Sequence, residues 1–68
     1  GLKIKYSTYA TVGIDKIGDD VYEVISHQYD YGGDEIETHY FTTYEEALHL
    51  YNNTNHGEMT ETEVTEHE

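Results

Sequence analysis

Residues 2–14 alternate with a period of two. Leu2, Ile4, Tyr6, Thr8, Ala10, Val12 and Ile14 fall on one side of an extended chain; Lys3, Lys5, Ser7, Tyr9, Thr11 and Gly13 fall on the other. Written this way, β-branched and aromatic residues give an extended strand one apolar face, while a helix would scatter them. The fold therefore has to be built on a sheet. The run is long for a single strand, which predicts a bulge or break near Ser7–Ala10. Gly1 reads as a processed or added end and is left out of the pattern.

Two turn signals follow. Gly18-Asp19 and Gly32-Gly33 each suit a two-residue hairpin loop. A loop at Gly32-Gly33 pairs Tyr29 with Ile36 and Ile25 with Tyr40, and a loop at Gly18-Asp19 pairs Val12 with Ile25 and Tyr6 with Tyr31. Together they predict one buried face of Ile4, Tyr6, Val12, Val21, Ile25, Tyr29, Ile36 and Tyr40. A slip of one residue would turn the whole set outward. Glu23 fits badly, because this register puts it on the inner face opposite Ile14. A three-residue loop, Gly18-Asp19-Asp20, would instead pair Ile14 with Val24.

The period then changes. Thr43-Tyr44-Glu45-Glu46 has the form of a capping box, with two acids where the helix dipole favours them. Tyr44, Ala47, Leu48 and Tyr51 follow at helical spacing, and Asn52-Asn53 supplies a stop. A helix this short is not stable alone in water, so docking on the sheet has to hold it. Residues 57–68 carry five Glu, no base, and only Met59 and Val64 as apolar anchors. The expected architecture is α+β: a three-stranded antiparallel sheet (β-β-β-α) with one helix on one face. It forms a single domain over 2–53, followed by an acidic, disordered tail over 54–68. A short edge strand through Thr60–Val64 is the alternative.

Composition narrows the function classes. The chain has 68 residues, a formal net charge of -12 and no Cys, which rules out a disulfide framework and a thiolate metal site. No apolar run approaches the roughly 18 residues of a membrane span. There is no Arg, so the bidentate fork for phosphate is missing. Paired catalytic carboxylates need a concave, partly desolvated site, and a thin sheet with one helix offers little room for one. Ser7 and Ser26 match a His only on paper, since neither occupies a strand-to-helix elbow. His56 with Glu58, and Glu66 with His67, lack the spacing of a metal-ligand motif. His27 is expected inward as a core histidine, and His39 outward beside Glu35 and Glu37, where its charge would make binding pH-sensitive. No catalytic residue, metal site or cofactor is expected.

Charge placement says more. All three Lys lie at or before Lys16, and residues 1–56 hold 10 acids against those 3 Lys. The negative charge therefore belongs to the folded body as well as the tail, at the cost of self-repulsion in a small domain. Surface charge is usually mixed in sign. Eight Tyr is a high count for 68 residues, and Tyr suits interfaces because it buries area while keeping a polar tip. The expected outward set is Tyr9, Tyr22, Val24 and Phe41, beside Asp30, Glu35, Glu37 and His39.

Val21–Asn53, with Phe-Thr-Thr-x-Glu-Glu-Ala at Phe41 to Ala47, resembles the amino-terminal arm-binding domains of tyrosine-type phage integrases. Those domains set a basic sheet face in the major groove of DNA. This chain presents acids there and no Arg, which argues against DNA binding by that face. In size, charge and tyrosine content it is similar, as a class, to small acidic phage inhibitors that imitate nucleic acid, of the anti-restriction, anti-CRISPR and uracil-DNA glycosylase inhibitor types. That resemblance implies a non-enzymatic protein acting in the cytoplasm of a host cell. Its partner would be a basic protein, a nucleic-acid-binding enzyme or complex, without direct contact to nucleic acid or membrane. The implied contact residues are Asp30, Asp34, Glu35, Glu37, Glu45 and Glu46 for charge, with Tyr9, Tyr22 and Phe41 as anchors. The alternative is a structural or regulatory domain whose acidity serves solubility, and a further one is a metal- or pH-responsive module on the tail.

Overall fold

The computed structural model describes residues 1–63. They form an α+β fold of one helix and an open antiparallel sheet of five strands. The strands are β1 (Lys3–Tyr6), β2 (Ala10–Gly18), β3 (Val21–Gln28), β4 (Glu35–Phe41) and β5 (Thr60–Glu63), with α1 (Tyr44–Asn53) between the last two. Across the sheet the order is β4-β3-β2-β1-β5. The three strands expected from the sequence are thus five, for two separate reasons.

The first is that the alternating run is a hairpin. The chain reverses between Tyr6 and Thr11, which face each other, and the Ser7 amide donates to the Ala10 carbonyl at 2.9 Å. Facing positions across this turn have opposite parity, so one unbroken alternation in sequence is split between two faces. Ile4 and Tyr6 go to one side, and Ala10, Val12 and Ile14 to the other. The second is that Thr60–Glu63, expected within a disordered tail, pairs with β1 through Lys3↔Glu63, Ile4↔Thr62, Lys5↔Glu61 and Tyr6↔Thr60. Without β5, β1 would present an unpaired edge. The folded unit therefore runs past residue 53, and the remainder of the expected tail, 64–68, lies outside the described residues.

The first hairpin register also differs from the two-residue expectation. Ile14 faces Val24, Val12 faces Ser26, and an irregularity between Lys16 and Gly18 absorbs one residue. Asp20 takes φ 55, a left-handed conformation that Asp tolerates better than most residues. In the second hairpin Ile25 faces Thr38 and His27 faces Ile36. This is two positions from the expected pairing, because the whole segment from Tyr29 to Asp34 serves as the loop. A two-residue shift preserves the faces, so Ile25, Ile36 and Tyr40 do lie together. That face, however, is the uncovered one.

The helix covers the opposite face. Val12, Ile14, Val24, Ala47 and Tyr51 form the buried cluster, with Leu2, Tyr22, Phe41, Tyr44, Leu48, Leu50 and Met59 packed against it. Each fully buried aliphatic side chain here contributes about 1.5–3 kcal/mol. Tyr44 tilts onto Tyr22 at 5.8 Å between ring centroids. At the helix start the Thr43 hydroxyl accepts the Glu46 amide at 3.3 Å and donates to the Glu46 carboxylate at 2.9 Å. The capping pair is therefore real, although Glu46 closes on the hydroxyl rather than on the cap amide. Glu23, awkward on an inner face, stands opposite Asp15 on the open one.

Candidate binding surface

The sheet face away from the helix is an ordered array set by register. Ile4, Gly13, Ile25 and Thr38 make one row across β1 to β4; Tyr6, Thr11, His27 and Ile36 make the next. On the other side of the first row lie Asp15, Glu23 and Tyr40. The apolar members are exposed: Ile36 62%, Tyr40 60%, Tyr6 46% and Ile25 37%. Single exposed apolar residues are ordinary, and a group of them on one sheet face makes that face a candidate contact surface.

Within that face is a depression of about 200 Å³, lined by Gly1, Lys3, Ile4, Gly13, Ile14, Asp15, Glu23 and Ile25. Its floor is the backbone at Gly13, and Ile4 and Ile25 flank it in the neighbouring strands. Asp15 and Glu23 face each other directly, and like charges so placed repel. The amino group of Gly1 lies 3.3 Å from the Asp15 carboxylate. Hydrogen bonding to Glu23 raises the Tyr40 phenol above its ordinary value, which places that ring beside the pair.

The helix side holds the lysines. Lys5 is buried, and its ammonium donates to the Tyr51 carbonyl at 2.7 Å and to Asn55 Oδ1 at 2.9 Å. It also stands 4.6 Å from the centre of the Tyr51 ring. The last turn of α1 contains no basic residue, so this strand lysine supplies the positive charge that a helix C-terminus favours. Burial lowers the Lys5 ammonium from its ordinary value, and the Glu61 charge opposes that shift. Lys3 lies 3.9 Å from Glu61. The Tyr51 hydroxyl is buried without a hydrogen-bond partner among the described residues. Burial raises its phenol far above the ordinary range, and Glu61, too poorly placed to accept a proper bond, adds to this through its charge.

Ser26 and His56 do meet, at 2.8 Å. Ser26 is buried in the middle of β3, and none of the principal surface depressions includes either residue. A nucleophile needs a place for substrate and a base that is itself oriented; this pair instead ties the segment after α1 to the sheet. Gly57 completes that segment. Its φ of +76 makes a side chain there strained, and the Tyr9 hydroxyl, 2.7 Å from where a Cβ would stand, would have to move. His27, expected as a core residue, is partly exposed on the open face and meets Asp34 at 3.0 Å. His39 lies 3.6 Å from Glu37. Among the described residues no three His, Asp or Glu side chains gather as metal ligands.

The anticipated contact residues are distributed over the two ends of the molecule. Tyr9 lies at the β1–β2 turn and, with Tyr29, Asp30 and Tyr31, lines a shallow hollow, while Asp34 closes the loop that follows. Glu35 and Glu37 lie on the helix side of β4, beyond the reach of α1, and are exposed. Glu45 and Glu46 begin the helix, and Glu46 shares a hollow with Asp20, Tyr40 and Phe41. Tyr22 and Phe41, expected outward, are partly buried against the core. The open-face group of Ile4, Tyr6, Ile25, Ile36 and Tyr40 was assigned to the interior by sequence reasoning. The signal that could have exposed it was Glu23, a carboxylate for which the expected inner face offered no partner.

Comparison of the chain with family models, with curated proteins and with solved structures found no match. No helix among the described residues is long and apolar enough to cross a membrane.

Proposed function

We propose that this chain is a non-enzymatic acidic binding protein that occupies the basic, nucleic-acid-binding surface of a partner protein. It would act by nucleic-acid mimicry, in the manner of phage counter-defence inhibitors in the cytoplasm of a host cell. One observation carries the reading: the sequence has no Lys or Arg beyond Lys16, and the three strand lysines are held on the helix side, Lys5 by the helix end, Lys3 beside Glu61 and Lys16 over the Tyr22 ring. Asp30, Asp34, Glu35, Glu37, Glu45 and Glu46 therefore project from β4, the loop before it and the helix start with no lysine or arginine among them. The molecule measures 37 Å in its longest dimension, on the order of one turn of duplex DNA. Long-range attraction of this kind steers encounter, and apolar anchors then hold the complex.

The test is capture. Immobilised protein is exposed to nuclease-treated bacterial lysate, and bound proteins are eluted with duplex DNA or with salt. The expected result is a basic protein released by both. Retention of nothing that DNA displaces would overturn the proposal and leave the acidity as a solubility feature.

A further inference from the structure

We infer that the hollow over Gly13 is a receptor for an arginine side chain of the basic partner, and that the open sheet face around it is the docking surface. The inference deepens the proposed function and rests on it for the existence of such a partner.

Gly13 is the key. It lies inside β2, paired on both sides, where glycine forfeits strand propensity and packing. Nothing in the fold demands it. A Cβ at this position would meet no heavy atom nearer than the Lys3 carbonyl oxygen, 3.8 Å away, and its φ lies outside the left-handed range. Contrast Gly57, whose φ of +76 favours glycine. A glycine that the fold does not need, between two isoleucines on an uncovered face, leaves a slot for something arriving from outside.

The chemistry of the slot selects its occupant. Its walls are aliphatic, Ile4 and Ile25, and one side carries the facing carboxylates Asp15 and Glu23, with the Gly1 amino group 3.3 Å from Asp15. An arginine stem matches the walls, and its planar guanidinium can take the Glu23 carboxylate and share Asp15 with that amino group. Ile36 and Tyr6 flank the slot along the next row and would pack on the surroundings of that arginine. A second copy of this chain is the wrong occupant, because it has no arginine and would bring a further net charge of -12.

The five isoleucines, Ile4, Ile14, Ile17, Ile25 and Ile36, are ready reporters. Their methyl resonances are followed while n-propylguanidinium, the arginine side chain without its backbone, is titrated against sodium chloride at matched ionic strength. Ile4 and Ile25 are expected to shift saturably while core Ile14 and strand-end Ile17 stay still. Gly13→Val, which fills the slot and leaves the net charge unchanged, is expected to abolish the response with Tm equal or higher. Glu23→Gln, a surface change that spares the core, is expected to weaken it at least fivefold. Shifts at Ile4 and Ile25 no larger than at Ile17, or a Glu23→Gln protein that responds like the wild type, would overturn the assignment. The two proposals separate in the capture experiment. If Gly13→Val still retains the DNA-displaceable protein with undiminished affinity, the slot is wrong and the mimicry stands; if the wild type retains none, the mimicry itself falls.

Discussion

Tyr51 places in the core a buried hydroxyl without a partner among the described residues, and leaving such a group unsatisfied costs about 1–3 kcal/mol. Tyr51→Phe keeps the ring and removes that cost. It is therefore expected to raise the thermal midpoint, by about 4–8 °C for each kcal/mol in a domain of this size; an unchanged or lower midpoint would mean the hydroxyl is satisfied. The same residue sets an alkaline limit. Its phenol is raised in the folded state, so the stability it contributes is complete below the ordinary value of about 10. As pH rises past 10 the unfolded chain ionises first and stability falls. Tyr40 is shifted in the same direction, whereas the lowered Lys5 acts in the opposite sense below its ordinary 10.5. Denaturant titrations at pH 9 and 11 should thus show a steeper loss for the wild type than for Tyr51→Phe. Lys5→Met would leave the Tyr51 carbonyl and Asn55 without their charged donor, an expected loss of about 1.5–3 kcal/mol in the same assay.

At the scale of elements, β5 is what makes β1 an inner strand and brings Glu61 beside the lysines. Deleting residues 60–68 should lower the thermal midpoint by on the order of 10 °C, equivalent to about 2 kcal/mol; a midpoint unchanged within a degree would return this segment to the status of a dispensable tail. The helix was legible in the sequence because its cap, its apolar stripe and its stop are local signals within a dozen residues. The strands β3 and β4, and their shared faces, were legible for the same reason, since a slip by two residues preserves parity. The β1–β2 turn was legible only as a break near Ser7–Ala10, from the length of the run. Ser7-Thr8-Tyr9-Ala10 contains neither Gly nor Pro, and the alternation runs through it unbroken, so nothing local announces that the break is a hairpin and that Tyr6 and Val12 part company. The β5 strand was legible only as the alternative, because its glutamates read as a solvated tail until Lys3 and Lys5 are placed beside them.

For the molecule as a whole, charge of one sign is spread over a body whose core is a handful of side chains. That distribution could be read directly from the sequence, but which face the helix would leave bare could not, because it depends on turn parity rather than on composition. Asp15 and Glu23 became candidate contacts only once the register placed them together. Self-repulsion predicts that the free protein grows more stable as salt screens it; raising sodium chloride from 20 to 200 mM should lift the midpoint by a few degrees, and a flat response would mean the acids are too far apart to matter. Binding should run the other way, since attraction to a basic surface is screened by the same ions. The decisive measurement is the dissociation constant for the captured partner between 50 and 500 mM salt. The account predicts weakening by tenfold or more over that range, with duplex DNA competing throughout, whereas an affinity indifferent to salt and to DNA would contradict it.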